Sequence, residues 1–193
     1  MVKARAYITL YNIKYVNYFT ILDLKSRKVM IWYRDWIFYS TSVAIFILDQ
    51  ISKEVIRRQL PLYGSWPEEG FFRIVHGLNT GSAFGLFAGF TNALIIASIV
   101  GIGVVLYYFQ KQQISVVWHR LSIGLIVGGA LGNLFDRIKD GAVVDFISVG
   151  WWPSFNVADS SISIGMFLLI VILLFGERFG WIQSADDNGD SDS

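Results

Sequence analysis

No charged residue occurs between Arg73 and Lys111. A run of that kind supplies the roughly 20 apolar residues that a helix needs to cross about 30 Å of hydrocarbon. Three further stretches are also free of charge: residues 36–48, 121–135 and 160–176. Backbone polar groups in lipid must be satisfied within the segment, so such stretches fold as helices. The pattern predicts an all-α membrane protein with four transmembrane helices, over about 36–56, 84–109, 114–135 and 156–175. The first is interrupted by Asp49, Gln50, Ser52 and Lys53, which suit a helix end at the far interface and not a lipid-facing surface.

The composition supports this reading and excludes others. The 193-residue chain is 54% hydrophobic, with a mean hydropathy of +0.50, above what a soluble domain of this size carries. It contains no cysteine, which excludes disulfides, thiol chemistry and lipid attachment to the chain. Its two histidines, His76 and His119, lie far apart and no His-Glu-x-x-His pattern exists; no metal or cofactor is expected. The net charge of +1 gives no reason to expect a nucleic-acid partner. The apolar patch over residues 7–11 is too short for a cleavable signal peptide.

The chain divides into a basic extension (1–35), the membrane domain (36–176) and an acidic, Ser/Gly-rich tail (177–193) that is expected to be disordered. Four spans place both termini on one side. The basic extension, Lys111 and Arg120 fall on that side, which the positive-inside rule makes cytoplasmic. Trp32, Trp36, Trp118 and Trp181 then sit near the inner interface, and Trp66, Trp151 and Trp152 near the outer one. Residues 57–79 form an outer loop, in which the alternation from Phe71 to Val75 suggests short strands. Residues 137–154 form a second outer loop with an amphipathic piece around 143–149. In the third span Gly124, Gly128 and Gly132 recur every four residues and make a smooth ridge for close helix packing.

Two polar clusters stand out near the second outer loop. Asn133 precedes Asp136 by three residues, and Asn156 precedes Asp159 by three, so each pair shares a helix face. The topology puts Asp136 at the outer end of the third span and Asp159 at the outer start of the fourth, with Asp49, Lys53 and Asn79 at the same level. Intramembrane carboxylates are costly and mark function. Two brought together can share a proton, one taking a proton from water and the other giving one to a leaving amine. Asn133 and Asn156 would orient the carboxyls, and Lys53 or Arg137 would balance charge. Structural alternatives stand beside these roles. Asp136 could pair with Arg137 or Lys139, Asp159 could serve the helix dipole, and Asp49 with Lys53 could be an i,i+4 pair. Asp145 reads as loop structure. A serine/lysine mechanism through Ser82 and Lys53 would leave both Asn-x-x-Asp clusters unused. A proton-coupled carrier would need polar groups along a route through the bilayer, whereas these gather at one face.

Five segments together resemble the lipoprotein signal peptidases (signal peptidase II). They are Asp49-Gln50-Ile51-Ser52-Lys53, Asn79-Thr80-Gly81-Ser82-Ala83-Phe84, residues 128–137 (Gly-Gly-Ala-Leu-Gly-Asn-Leu-Phe-Asp-Arg), Val143-Val144-Asp145-Phe146-Ile147 and Phe155-Asn156-Val157-Ala158-Asp159-Ser160. The resemblance runs from about residue 45 to 175. It implies a four-span aspartic endopeptidase of the bacterial inner membrane, with a small extracytoplasmic β-cradle and its site at the outer leaflet. It implies Asp136 and Asp159 as the catalytic dyad, with Asp49, Lys53, Asn79, Asn133, Arg137 and Asn156 in support. The implied substrate is a diacylglyceryl-modified prolipoprotein, cut just before the lipidated cysteine, and globomycin is the implied inhibitor. The extension before the first span is longer than the family's usual few residues. His76-Gly77-Leu78 also stands where the family often has a larger polar residue beside the Asn.

Overall fold

The computed structural model describes residues 35–81, 91–111, 116–176 and 178. The extension over 1–34, the tail beyond 178, and Ser82 lie outside the described residues. Among the described residues four helices and four strands follow in the order α1 (Trp36–Gln59), β1 (Ser65–Trp66), β2 (Phe72–Asn79), α2 (Thr91–Lys111), α3 (Val117–Asp140), β3 (Val143–Val149), β4 (Trp152–Phe155) and α4 (Val157–Phe175).

Local chemistry explains where these helices begin and end. Asp35 caps α1, its Oδ1 accepting from the Phe38 amide at 3.2 Å. The helix stops at Leu60, which is extended (φ −121°, ψ 136°) because the following Pro61 disfavours the helical region. Helix α3 ends at Gly141, whose φ of 71° lies in the left-handed region that glycine adopts without strain. Among the described residues, α2, α3 and α4 are long and apolar enough to cross a membrane. Helix α1 differs because its second half carries Asp49, Lys53, Glu54, Arg57 and Arg58. Asp49 and Lys53 are fully buried against other protein elements, which is why the helix tolerates them.

Helix α3 is the central element. A Cβ on Gly124 would lie 2.8 Å from the Thr41 Cβ, on Gly128 2.6 Å from the Ser42 carbonyl oxygen, and on Gly132 2.5 Å from Asp49 Oδ2. The four-residue glycine ridge thus seats α1 from Phe38 to Asp49. On the other side, a Cβ on Gly129 would lie 2.5 Å from the Ala158 carbonyl oxygen of α4. In lipid there is little hydrophobic drive between helices, so this close approach and the Ser42 hydroxyl donating to the Gly124 carbonyl (3.2 Å) take its place.

The strands form one antiparallel sheet in the order β1-β2-β3-β4. The alternation read over 71–75 is a longer strand, β2. The stretch read as a polar loop over 137–154 is instead the last turn of α3 and the β3–β4 hairpin. Strand β3 is buried from Val143 through Phe146, with Val144 and Phe146 packing on Ile56 of α1. Both faces are covered, so no polar/apolar alternation marks it in the sequence. The pairing of Gly77 with Asp145 and of Asn79 with Val143 brings the end of β2 against the start of β3.

Substitution of Gly128 by Ala should destabilise the protein by about 1–3 kcal/mol through overpacking, despite alanine's better helix propensity. At Gly101, where a Cβ meets nothing within 4 Å, the same substitution should be neutral or stabilising by up to about 1 kcal/mol. Thermal unfolding of both variants in detergent distinguishes the two outcomes.

Candidate active site

The site is built outward from Lys53. Its ammonium has three hydrogens and meets three oxygens: Asp49 Oδ2 at 2.7 Å, Asn133 Oδ1 at 2.9 Å and Asp136 Oδ2 at 2.7 Å. Lys53, Asp49 and Asp136 all have no solvent exposure. Two carboxylates against one ammonium leave excess negative charge, and neighbouring donors offset it. Gln50 Nε2 donates to Asp136 Oδ1 (3.2 Å). Asp49 Oδ1 accepts from the Ala158 amide (3.0 Å), one of the N–H groups at the positive end of the α4 dipole. Arg57 lies 3.7 Å from Asp136 Oδ1.

The start of α4 is a capping box. Asn156 Oδ1 accepts from the Asp159 amide (3.0 Å), and Asp159 Oδ2 accepts from the Asn156 amide (3.2 Å). The other oxygen, Asp159 Oδ1, accepts from Asn133 Nδ2 at 2.8 Å. Asn133 therefore joins the Lys53 group to Asp159, with its carbonyl on the ammonium and its amide on the carboxylate.

Asn156 extends this chain to Asp145. Its Nδ2 donates to Asp145 Oδ1 at 2.8 Å and to Asn133 Oδ1 at 3.2 Å. Asp145 Oδ2 accepts from Asn79 Nδ2 at 2.9 Å, and Asn79 Oδ1 accepts from the Gly81 amide at 2.9 Å. Burial pushes the Asp145 carboxyl up to about 6. The Asn79 and Asn156 hydrogen bonds pull against that rise, and the Asp159 charge adds to it. Half-buried Arg137 donates weakly to the Asn133 backbone carbonyl (3.4 Å), and its charge reaches Asp159, Asp145 and Asp136.

A cleft of about 550 Å³ opens on this network. Residues 77–80 and 152–155 line it, together with Asp145 and Asp159. Asp136 is not among its walls. The helix-end pairing of Asp136 with Arg137 or Lys139 is thus replaced by a buried pair with Lys53. The i,i+4 pairing of Asp49 with Lys53 and the helix-start position of Asp159 both occur. Reading Asp145 as loop structure missed its place, and Gln50 was also missed. The signal for Asp145 was a single acid between Val143-Val144 and Phe146-Ile147, where a carboxylate has no cheap position.

The architecture is that of a membrane enzyme. Two solved bacterial membrane enzymes, determined by the in meso method at 2.3 and 1.9 Å, superpose with TM-scores of 0.67 and 0.65 at 32% and 34% identity, covering 76% and 71% of this chain and 92% of each of theirs. The family model described as signal peptidase (SPase) II matches residues 41–175, and the chain belongs to that family of proteases. Curated relatives named lipoprotein signal peptidase include those of Dehalococcoides mccartyi strain 195 (38% identical, 76% of this chain and 94% of the relative) and Geobacter sulfurreducens (40%, 74% and 94%). That of Syntrophomonas wolfei is 42% identical over 73% of this chain and 95% of its own length.

Asp145 also sets a pH dependence. Its carboxyl binds a proton more tightly folded (about 6) than at its ordinary value of 3.8. The corresponding stability is full below the lower value and lost as pH rises through the higher one, about 3 kcal/mol in all. Asp145→Asn, which cannot ionise, should remove this fall. Unfolding of wild type and variant in detergent between pH 3.5 and 7 checks it: the stability difference should shift toward the variant as pH rises.

Proposed function

We propose that this protease removes signal peptides from diacylglyceryl-modified prolipoproteins, cutting just before the lipidated cysteine, with Asp145 and Asp159 as the reacting carboxylates. The observation that carries the assignment is that Asp145 and Asp159 border one cleft, while Asp136 is sealed beneath it against Lys53. In the dyad expected from the sequence, Asp145 therefore takes the place of Asp136. A carboxylate with no solvent exposure, pinned 2.7 Å from a buried ammonium, has no access to substrate.

The mechanism follows from the two environments. Asp145, whose proton affinity burial raises, serves as the acid, and a water lies between the two carboxyls. Asp159 takes a proton from the water as its oxygen attacks the scissile carbonyl carbon. The resulting tetrahedral species collapses with cleavage of the C–N bond, and Asp145 gives its proton to the leaving nitrogen. Asn133 and Asn156 hold Asp159 and Asp145 in register, Asn79 fixes the second oxygen of Asp145, and Arg137 offsets the negative charge. Asp49 and Lys53 anchor the start of α4. In this reading α1 with α2, α3 and α4 makes four spans, both termini are cytoplasmic, and the cleft faces the outer leaflet of the inner membrane. Globomycin would compete for that cleft. A serine/lysine mechanism is disfavoured because the Lys53 ammonium is fully committed to Asp49, Asn133 and Asp136.

The test is cleavage of a lipidated prolipoprotein by the purified protein in detergent. Asp145→Asn and Asp159→Asn should each lower the rate by about 10²–10⁴-fold with the fold retained. Near wild-type cleavage by either variant overturns the assignment. Asp136→Asn should instead lower stability by about 3–5 kcal/mol, because it breaks a buried ion pair, while its folded fraction still cleaves. A fully stable but inactive Asp136 variant would return Asp136 to the dyad. Omitting the diacylglyceryl group from the substrate measures the requirement for it.

A further inference from the structure

We propose that Gly77 and Ser154 form the subsite for the substrate residue just before the lipidated cysteine, and that this subsite admits the hydroxyl side chains of serine and threonine. The proposal rests on the cleavage site and the reacting carboxylates inferred above. Both residues line the cleft of about 550 Å³ that Asp145 and Asp159 border. Gly77 pairs with Asp145 across β2 and β3, and cross-strand partners share a face of the sheet. Asn79, two residues along β2, lies on that face and donates to Asp145 Oδ2. Ser154 reaches the same place from β4. A Cβ on Gly77 would lie 3.6 Å from Ser154 Oγ and 3.3 Å from the Asp145 carbonyl oxygen.

Two observations mark this spot as a place for a ligand. The first is the glycine. A β-bulge precedes it, between Ile74 and Gly77, but Gly77 has no positive φ, so its conformation does not demand glycine. A glycine inside a strand weakens it and suits the close approach of a ligand or another backbone. The second is the Ser154 hydroxyl, which meets no hydrogen-bonding group among the described residues. Its polar neighbours Asn79 and Asn156 are both bonded to Asp145.

The lipid decides which substrate residue comes here. Adjacent side chains of an extended peptide point to opposite sides. The cysteine carries the diacylglyceryl group, which belongs in hydrocarbon beside the helices. The preceding side chain therefore turns to the sheet, over Gly77. A serine hydroxyl there meets Ser154 Oγ, since each hydroxyl can donate and accept. The extra methyl of threonine lies over the bare Gly77 backbone.

The test uses the full chain in detergent and three lipidated prolipoproteins, with alanine, serine or threonine just before the cysteine. Wild type should cleave all three. Ser154→Ala should lower the serine-to-alanine ratio of kcat/KM about fivefold, the size of one neutral hydrogen bond. Gly77→Val, whose side chain occupies the subsite, should lower the threonine-to-alanine ratio by about tenfold. Each ratio is taken within one protein, so any loss of folded enzyme cancels. Unchanged ratios in both variants, or a wild type that cleaves the alanine substrate and rejects the other two, would overturn the subsite and leave the cleavage site standing. A wild type that cleaves none of the three would overturn both.

Discussion

The structure depends on one buried ammonium. Removing Lys53 from water costs several kcal/mol, and that cost is tolerable only because its ammonium lies within 3 Å of three oxygens. Those oxygens come from α1 (Asp49) and α3 (Asn133 and Asp136), and Asp49 in turn holds the first turn of α4 through the Ala158 amide. A single charge thereby fixes the relative height of three helices. Glycine packing sets how close the helices come, and Lys53 sets how far they slide along one another.

From that anchor the order passes outward through two asparagines. Asn133 touches the ammonium with its oxygen and Asp159 with its amide nitrogen. Asn156 touches the Asp159 amide with its oxygen and Asp145 with its nitrogen. An asparagine side chain offers a donor and an acceptor a short distance apart, so each relays position without adding charge. Asp145 and Asp159 are thus held by asparagines, while Asp49 and Asp136 lie against Lys53. Asp145 and Asp159 line the cleft, whereas Asp49 and Asp136 are fully buried.

The sheet completes the arrangement. Strand β3 carries Asp145 over the end of the helices, and its apolar neighbours Val144 and Phe146 pack on Ile56. Burying that strand on both faces is what desolvates Asp145 and raises its proton affinity. The packing that stabilises the sheet is therefore the same packing that tunes the acid.

Much of this was legible in the sequence, for reasons of local chemistry. Charge-free runs dictate helices in lipid, a four-residue glycine period dictates close helix contact, and the Asn156–Asp159 spacing puts both residues on one helix face. These are properties of neighbouring residues. Which carboxylate faces the cleft is not such a property. Asp136 and Asp145 are nine positions apart, both acidic and both beside apolar residues. One extra turn of α3 beyond the apolar run carries Asp136 into the helix interface, and the β3–β4 hairpin folds Asp145 back over Asp159. That choice rests on contacts between residues as far apart as Lys53 and Asp136, or Asn79 and Asp145, which only tertiary packing brings together.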